Sequence, residues 1–208
     1  RDLLALVISG GHTQILYMPA HNDFKIIGTT HDDAIGECFD KVAKILGLPY
    51  PGGPAISNAA KNGDRNKYKF PHPKVDELDF SFSGLKSAVI NLSHNEQQRG
   101  NELRKYDLAC SFQTVAIDEL IRKTKLAIEK YDIKRVIVAG GVSANGYLRD
   151  EMQKLCDGME VDLCIPPLKY CTDNATMIAC AAYPQYLKGE FADLSLRAKS
   201  QEYFFGDK

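Results

Sequence analysis

The amino-acid sequence predicts an α/β protein built on a mixed five-stranded sheet, and three observations favour this class. Three short apolar stretches follow one another at the start of the chain, which is typical of an antiparallel meander. Helical and β-branched stretches then alternate, as in units that join parallel strands through helices. A double-glycine turn, Gly140–Gly141, follows the apolar stretch 136–139 and precedes an amphipathic helix.

The predicted elements follow from two periodicities. Strands are expected where β-branched residues run together, and helices where apolar residues recur every three or four positions. A polar insertion rich in lysine and proline is expected between about residues 62 and 100, with a break in helical structure at 94–100. The expected strands span residues 3–9, 12–18, 24–30, 135–139 and 159–165, and the expected helices span 35–46, 55–61, 84–92, 102–131, 144–157 and 173–187.

Length and composition narrow the function classes. The 208 residues suit one large domain, and the formal net charge of -1 confines any RNA contact to a local patch. The six cysteines show no CxxC pair, which favours reduced thiols in a cytoplasmic protein. No apolar stretch approaches the roughly 20 residues that span a bilayer. The chain starts with Arg1 and enters a strand at Leu3, so we expect it to be part of a longer protein.

Two glycine turns are candidates for ligand binding. Gly10 and Gly11 lie between the first two strands, where consecutive backbone amides can bind an anion. The helix start after Gly141 offers free N–H groups, with Ser143 as the expected N-cap. Tight packing would explain both turns equally well, so nucleotide binding and a purely structural turn remain open.

Carboxylates near predicted helix starts are the next candidates. Asp32 and Asp33 fit N-terminal caps of the helix that begins near Ile35. Asp40 lies inside that helix, where it is an ordinary solvated residue unless the helix faces a cleft that binds a ribose. Asp173 precedes the last helix, where it fits either an N-cap or one ligand of a metal. The five histidines contain no pair spaced four residues apart.

The order of the elements resembles one lobe of the actin-like ATPase (ribonuclease H-like) fold. That fold is a mixed sheet of five strands with helices on both faces. It normally comes as two such lobes with a nucleotide between them. The resemblance therefore implies that residues 1–208 form a second lobe with an inserted segment at about 62–100, and that the first lobe is absent.

Five stretches of the sequence resemble the TsaD/Gcp family. Its members are tRNA N6-adenosine threonylcarbamoyltransferases, formerly described as O-sialoglycoprotein endopeptidases. The similarity runs from about Leu3 to Ala198 and resembles the second half of a bacterial-type member, without the first lobe and its His-x-x-x-His motif. The stretches are VISGGHTQI, DDAIGECFDKVAKILGLPYPGGP, DFSFSGLKSA, VAGGVSANGYLR and CTDNATMIA.

This resemblance implies an activity, a metal and partners. The activity is transfer of threonylcarbamoyl from threonylcarbamoyl-adenylate to N6 of the adenosine beside the anticodon in tRNAs that read ANN codons. The metal is iron or zinc, with Asp173 as one of three ligands and two first-lobe histidines as the others. The partners are tRNA, the truncated paralogue TsaB and the ATPase TsaE. The implied binding residues for the ATP or AMP moiety are Val7, Ile8, Ser9, Gly10, Gly11, Asp40, Gly53 and Asn145.

Two other functions and one RNA-binding hypothesis remain open. An actin-like small-molecule kinase would share the glycine turns, and a non-catalytic nucleotide-binding partner domain would describe this chain by itself. The DFSFSGLK segment and the start of the last helix favour the transferase. A local RNA contact is expected in residues 61–74, where Tyr68 and Phe70 would stack on bases, although a solvated loop is an equal alternative. The basic residues of that segment are Lys61, Arg65, Lys67, Lys69 and Lys74.

Overall fold

The computed structural model describes residues 2–20 and 23–197, and its central element is a five-stranded sheet. Its strands are β1 (Leu3–Ile8), β2 (Thr13–Ala20), β3 (Asp23–Thr29), β4 (Arg135–Ala139) and β5 (Asp162–Cys164). They lie in the order β3-β2-β1-β4-β5. The pairs β1–β2 and β2–β3 are antiparallel, whereas β1–β4 and β4–β5 are parallel. The predicted meander and the predicted mixed sheet are therefore confirmed.

Six α-helices accompany the sheet in the described part of the chain. They are α1 (Ile35–Ile45), α2 (Gly52–Ala60), α3 (Ser83–Gln98), α4 (Lys105–Tyr131), α5 (Gly146–Met159) and α6 (Ala175–Lys188). Two short 3-10 turns, Gly141–Ala144 and Leu168–Tyr170, precede α5 and α6. Within the described ranges no helix is both long enough and apolar enough to cross a bilayer.

One face of the sheet forms the hydrophobic core. Leu4 and Leu6 are fully buried and pair in register with Val136 and Val138, which are fully buried too. Register partners share a face of the sheet, so these four side chains point to the same side. Helices α1, α4 and α5 contribute most of the other residues in this core.

The opposite face of the sheet is less covered. Val7 of β1 and Ile137 of β4 alternate with the core residues and are only half-buried. Leu16 of β2 lies on the same side and is also half-buried. The described helices therefore leave an apolar sheet face partly open.

The contact between α1 and α4 closes the core above the sheet. The rings of Phe39 and Phe112 meet edge to face, with their centroids 5.0 Å apart. Both side chains are almost completely buried. Replacing either by alanine is expected to cost about 3–5 kcal/mol of folding free energy, as is usual for large aromatic residues in cores.

Several helix boundaries differ from the prediction, and two of the differences have a clear local cause. Helix α2 begins at Gly52 rather than at residue 55, because the Asp40 carboxylate accepts a hydrogen bond from the backbone N–H of Gly52. Helix α3 continues to Gln98, so the expected break at 94–100 is wrong. Buried Val89 and Ser93 hold its inner face against the domain.

All six cysteines are unpaired in the structure. Cys38, Cys156 and Cys171 are buried, whereas Cys164 and Cys180 are exposed. The expectation of buried, reduced thiols therefore applies to half of them. Ala198, at which the family resemblance ends, lies outside the described residues.

Candidate functional site

Two glycine turns lie side by side at the carboxyl ends of β1 and β4. The strands are parallel neighbours and Val7 pairs with Ala139, so the chain leaves both strands at the same edge of the sheet. Gly140 lies directly against β1, since an added Cβ would be 2.2 Å from the carbonyl oxygen of Ile8. Its φ of +96° also requires glycine. Open α/β sheets bind ligands at such an edge.

The turn after β1 forms an amide cradle, in which two backbone N–H groups point to one position. The hydroxyl oxygen of Ser9 occupies that position. Ser9 Oγ accepts hydrogen bonds from the backbone N–H groups of Gly11, at 3.2 Å, and His12, at 3.0 Å. The N–H of Ser9 donates to the carbonyl oxygen of His12 at 2.8 Å and closes the turn. The expected cradle is therefore present, and an anionic oxygen would take the place of the hydroxyl oxygen.

Helix α1 starts against this turn. Buried Thr13 at the start of β2 accepts a hydrogen bond from the N–H of Ile35 at 2.9 Å and so acts as a cap from outside the helix. The N–H of Gly36 donates to the carbonyl oxygen of Ser9 at 3.2 Å. A Cβ at Gly36 would lie 2.6 Å from that oxygen, so glycine is required for this close approach.

Asp40 contacts the start of α2 at Gly52, and Gly53 is the next residue of that helix. The N–H of Gly52 donates to Asp40 Oδ1 at 2.7 Å. A Cβ at Gly52 would lie 2.5 Å from Asp40 Cα, so the two helices touch at their backbones. Asp40 is half-buried, and its second carboxylate oxygen is not used by this bond. The structure therefore brings together two residues that the family resemblance assigned to one ligand.

Several glycines around this edge face open space. An added Cβ would meet nothing within 4 Å at any of them, and none has a left-handed φ. Gly84 and Gly158 also face open space, but they lie in other parts of the fold. The informative observation is therefore that the remaining glycines with open space cluster around this edge. Neither packing nor backbone conformation requires glycine there, whereas a ligand close to the backbone would. The glycines of this cluster are Gly10, Gly11, Gly53, Gly141 and Gly146.

Asn145 caps α5, so the expectation of Ser143 as the N-cap is wrong. The 3-10 turn Gly141–Ala144 delays the start of α5, and Asn145 Oδ1 accepts a hydrogen bond from the N–H of Leu148 at 3.1 Å. Asn145 Nδ2 donates to Gln113 Oε1 at 2.9 Å. An amide group has two donor hydrogens and two acceptor lone pairs, so each end keeps one for a ligand. Ser143 is buried, and its hydroxyl has no hydrogen-bond partner among the described residues.

A cleft of about 420 Å³ opens beside Asn145, between α2, α4 and α5. Its volume lies within the usual range for small-molecule sites, roughly 300–1,000 Å³. Gln113 connects Asn145 to the cleft wall. The polar residues that line the cleft include Ser57, Lys61, Arg65, Gln113, Tyr147 and Asp150.

Tyr147 gives this cleft an aromatic wall. The guanidinium of Arg65 lies 5.8 Å from the centre of its ring, within the range of a cation–π contact. Burial, together with the nearby carboxylate of Asp118, raises the pKa of Tyr147 to about 12. The phenol OH donates to Asp118 Oδ1 at 3.3 Å. Tyr147 therefore stays protonated at neutral pH and offers an uncharged surface.

A larger cleft, of about 1140 Å³, lies between the end of α1 and the start of α4. We place the candidate site at the smaller cleft because Gln113, the partner of Asn145, and Gly146 line it, whereas neither lines the larger one. Acidic and basic side chains occur there in equal number, so the larger cleft has no charge preference. Its charged lining residues are Lys67, Glu96, Glu102, Arg104, Lys105 and Asp107.

The buried thiols of the chain are not activated nucleophiles. Burial raises the pKa of Cys38 to about 12 and that of Cys156 to about 11. Burial also raises the pKa of Cys110, which lines the smaller cleft. A thiol reacts as its thiolate, so these three cysteines are inert at neutral pH.

Asp32 caps α3 and not α1, which corrects the sequence prediction. Its Oδ1 accepts hydrogen bonds from the N–H groups of Phe82, at 2.8 Å, and Ser83, at 3.2 Å. The partners lie 50 and 51 positions away, so local sequence could not reveal them. The DFSFSGLK segment thereby fastens α3 to the start of α1.

Asp33 holds the same junction by ion pairs. Its carboxylate accepts hydrogen bonds from Lys41 at 2.7 Å and from Lys86 at 2.8 Å. Burial by itself would raise the pKa of Asp33, but the two lysines more than offset this and lower it below the ordinary value. Lys86, the last residue of the DFSFSGLK segment, therefore has a structural role in this chain.

Asp173 lies one residue before the cap of α6, so the expectation that it caps this helix is wrong. Asn174 Oδ1 accepts the hydrogen bond from the N–H of Met177 at 3.0 Å. Asp173 is exposed. Among residues 2–20 and 23–197, the group with metal-like spacing is His31, Asp76 and Asp79, which does not include Asp173.

The basic segment 61–74 is exposed, but its aromatic residues are not. Phe70 is only 9% exposed and Tyr68 packs against the core, so the expected stacking of Phe70 on RNA bases is wrong. Lys61 and Arg65 are exposed as well, and both line the smaller cleft. The remaining exposed basic residues are Lys67, Lys69 and Lys74.

Sequence reasoning missed Gln113 and Tyr147 as residues of the site. Gln113 is 6% exposed and lies on the buried side of α4. A glutamine among apolar residues at helical spacing was the available signal, because buried amides are almost always hydrogen-bonded. Tyr147 carried no comparable signal.

The sequence profile of the TsaD family, described as tRNA N6-adenosine threonylcarbamoyltransferase, matches residues 2–180. The protein of that description from Halalkalibacterium halodurans is 51% identical over 199 residues, which cover 95% of this chain and 58% of the relative. The Streptococcus mutans protein is 49% identical over 206 residues, which cover 98% of this chain and 60% of the relative. The chain thus spans about three fifths of the length of these relatives.

Two solved structures share the fold at low sequence identity. Full-length HypF in a phosphate- and nucleotide-bound form has a TM-score of 0.66 at 12% identity, over 90% of this chain and 33% of that chain. HypF from T. kodakarensis has a TM-score of 0.55 at 19% identity, over 79% of this chain and 21% of that chain. They confirm the predicted actin-like (ribonuclease H-like) fold. Since the family profile matches most of the sequence, the chain belongs to the TsaD family of tRNA N6-adenosine threonylcarbamoyltransferases.

Proposed function

We propose that this chain is the adenylate-binding lobe of an enzyme that transfers threonylcarbamoyl from threonylcarbamoyl-adenylate to N6 of the adenosine beside the anticodon in tRNAs reading ANN codons. Membership of the TsaD family supports the reaction type. The observation that carries the proposal is the cluster of glycines facing open space between Asp40 and Asn145. Those glycines leave room for a nucleotide against the backbone of three helix starts.

In this proposal the parts of the adenylate divide among three elements. The phosphate binds the amides of Gly11 and His12, in place of the Ser9 hydroxyl. The ribose hydroxyls donate to the carboxylate oxygen of Asp40 that the Gly52 bond leaves unused. The base enters the 420 Å³ cleft beside Asn145.

The residues of the chain suit an acyl transfer without a covalent enzyme intermediate. The N6 amine of the tRNA adenosine attacks the carbamoyl carbon, AMP leaves with the electron pair of the broken C–O bond, and the proton that N6 loses passes to solvent. Backbone amides aimed at the phosphate stabilise this leaving group. The raised pKa values of Cys38, Cys110 and Cys156 agree with a direct transfer.

The family resemblance also implies iron or zinc, and this chain offers one ligand for it. Asp173 is exposed, and Asn174 has taken over the capping of α6, so the Asp173 carboxylate is available. A three-ligand site needs two further ligands from outside this chain. When bound, such an ion supplies Lewis-acid polarisation of the carbamoyl oxygen. The role of Asp173 is to hold one coordination position.

We propose further that a first lobe completes the cleft and covers α6. No residue of α6 is buried, and its large apolar side chains are between 47% and 66% exposed. A continuous exposed apolar surface of this kind is typical of an interface. The chain spans 58% of the length of its Halalkalibacterium relative, so a further lobe is available in such proteins. The exposed residues of α6 are Met177, Ile178, Tyr183, Tyr186 and Leu187.

The proposal includes tRNA binding and two partner proteins. Lys67, Lys69 and Lys74 are exposed and can pair with phosphates. Reversing these three charges in the full-length protein is expected to weaken tRNA binding and flatten its salt dependence. An unchanged salt dependence of tRNA binding would mean that the RNA contact lies elsewhere. TsaB and TsaE, as well as a cytoplasmic location, are carried over from the family resemblance as parts of the same proposal.

The decisive experiment is a transfer assay on the full-length protein that contains this chain. Unmodified tRNA and threonylcarbamoyl-adenylate are incubated with wild type, Asp40→Asn and the control Glu37→Gln, and the nucleosides are analysed by mass spectrometry. Wild type and Glu37→Gln should form threonylcarbamoyladenosine, because Glu37 contacts only Lys41 on the exposed side of α1. Asp40→Asn should require more adenylate. If wild type forms no product and instead phosphorylates a small molecule with ATP, the protein is a kinase and not a transferase.

A further inference from the structure

Arg149, in the first turns of α5, connects two loops that the sheet does not join. Its Nε donates to the carbonyl oxygen of Ser143 at 2.7 Å, in the 3-10 turn that follows the glycines after β4. Its Nη2 donates to the carbonyl oxygen of Pro166 at 2.6 Å, in the segment after β5. The guanidinium is half-buried, so both bonds lie partly shielded from water.

The second loop continues through a buried thiol to Asp173. Arg149 Nη2 also donates to Cys171 Sγ at 3.2 Å, and this thiol lies 3.6 Å from the carbonyl oxygen of Pro166, to which it donates. Cys171 is 4% exposed, although the residues on either side of it are exposed. It stands two positions before Asp173, whose side chain has no hydrogen bond or ion pair among the described residues.

The strand pairing stops short of these loops. The last paired residues of β4 and β5 are Ile137 and Cys164. Beyond them, the turn at Gly140 and the segment at Pro166 leave the sheet without a shared ladder. Arg149 supplies the missing connection, because its planar guanidinium presents donors in fixed directions toward both segments.

We propose that Arg149 is a positioning residue that holds residues 140–145 and residues 166–173 in one arrangement, and thereby fixes the Asp173 carboxylate relative to an adenylate bound at the glycine turns. This inference rests on the proposed function for its catalytic meaning. Arg149 uses three of its five N–H donors, those on Nε and Nη2, to hold Ser143, Pro166 and Cys171, so in this proposal it acts through the two segments and not by contact with the substrate.

Hydrogen exchange read by mass spectrometry tests the connection without any substrate. In Arg149→Lys, which keeps the charge and the aliphatic stem, the amides of both 141–146 and 168–174 should exchange at least about tenfold faster, because a lysine cannot donate in both directions. Amides at 152–156 within α5 should stay protected and report that the chain is folded. The matched control is Arg135→Lys, since Arg135 is exposed and contacts only Asp162.

A second variant approaches the same connection from its other end. Cys171→Ala removes the thiol and leaves Arg149 intact, so exchange should rise at 168–174 and, through Arg149, at 141–146. Faster exchange in only one of the two segments, in either variant, would overturn the inference. Equal exchange in Arg149→Lys and wild type would overturn it as well.

The transfer assay on the full-length protein separates positioning from binding. Arg149→Lys should lower kcat by about tenfold to a hundredfold, as expected from a small misplacement of reacting groups, and should change KM for threonylcarbamoyl-adenylate much less. Loss confined to KM, or full activity in a variant whose loops exchange faster, would contradict a positioning role. An inactive wild type would instead refute the proposed function and leave the exchange result standing.

Discussion

Asp40 and Gly52 are joined by a hydrogen bond of 2.7 Å from the backbone N–H of Gly52 to the carboxylate of Asp40. This bond explains why a carboxylate lies inside α1, since it caps the neighbouring helix α2 and keeps one oxygen for a ligand. The proposed binding role of Asp40 would therefore share one side chain with its structural role, and substitutions can separate the two.

Asp40→Asn should preserve the fold and weaken nucleotide binding. Asparagine can still accept the hydrogen bond from Gly52, whereas its amide end is a poorer partner for ribose hydroxyls. Asp40→Ala should also lose the cap and about 0.5–2 kcal/mol of folding free energy. Denaturant unfolding measures the change in folding free energy. Calorimetric titration of AMP into the full-length protein measures the binding free energy, which should weaken by about 1–3 kcal/mol in either variant. Wild-type affinity in both variants would remove Asp40 from the site.

Asn145→Ala should lose stability and ligand affinity together. The cap of α5 and the hydrogen bond to Gln113 both disappear, which is expected to cost about 0.5–2 kcal/mol for the cap alone. Nucleotide binding in the full-length protein should weaken by about 1–3 kcal/mol. Asn145→Asp is the matched control, because it retains the cap and loses the donor to Gln113. If AMP binds Asn145→Ala as tightly as wild type, the assignment of Asn145 is wrong.

Gly140 and Gly141 should respond in opposite ways to alanine. Gly140→Ala places a methyl group against the carbonyl oxygen of Ile8 and forces alanine to a φ of +96°, so it should be strongly destabilising. Gly141→Ala points into open space and should leave the melting temperature nearly unchanged. It should nevertheless reduce AMP affinity in the full-length protein, because the ligand needs that space. Equal melting temperatures for the two variants would contradict the geometry of this turn.

Asp33 should contribute to acid denaturation. Its pKa is lowered in the folded chain, so its stabilising effect is complete above the ordinary value of 3.8 and is lost as the pH falls through the lower folded value. Unfolding measured between pH 6 and pH 2 should therefore depend less steeply on pH below about 4 in Asp33→Asn than in wild type. Asp162→Asn is a control, because that carboxylate is 73% exposed and pairs with an exposed arginine. Parallel curves for Asp33→Asn and wild type would show that the two lysines do not stabilise the charged form.

Asp173→Ala should abolish threonylcarbamoyl transfer in the full-length protein and leave folding nearly intact. The structure supports the expectation that folding stays nearly intact. Asn174 caps α6, and Asp173 has no hydrogen bond or ion pair among the described residues that its loss would break. Metal analysis of the 208-residue chain and of the full-length protein completes the test. Stoichiometric iron or zinc in the chain alone, or full activity in the variant, would show that Asp173 is not a ligand in a site completed by the first lobe.

The two-lobe proposal predicts weak nucleotide binding by the chain itself. Half of the cleft would be missing, so AMP should bind the 208-residue chain much more weakly than the full-length protein. Calorimetric titration of both proteins under the same conditions measures the difference. Equal affinities would mean that this lobe forms a complete site and would leave the exposed α6 unexplained.

Features that depend on neighbouring residues could be predicted from the sequence. The antiparallel meander follows from short connections, the parallel part of the sheet follows from the alternation of helical and strand patterns, and the glycine turns are visible because their spacing from the strands is local. The same locality explains the small errors. Ser143 and Asp173 occupy plausible cap positions. The 3-10 turn delays the start of α5, so Asn145 is its cap, and α6 starts at Ala175, so Asn174 is its cap.

Features that depend on distant residues could not be predicted. Asp32 caps a helix 50 positions away, and Gln113 reaches Asn145 across 32 positions. Phe70 was misassigned because its burial is decided by the core beneath a polar loop, which composition does not report. The partners of Arg149 could not be predicted, since two of its acceptors are backbone carbonyl groups that any residue possesses and the third is a thiol 22 positions away.

The Ser9 hydroxyl that occupies its own amide cradle has a consequence for selectivity. It acts as a tethered competitor, present at a constant high effective concentration, and every incoming group must outcompete it. A neutral oxygen would only replace one neutral acceptor by another and gain little. A charged phosphate oxygen forms hydrogen bonds roughly twice as strong, so it displaces the hydroxyl with a net gain. In the proposed function, the turn would thereby select for charge, because an anionic oxygen displaces the Ser9 hydroxyl more readily than water or an uncharged metabolite.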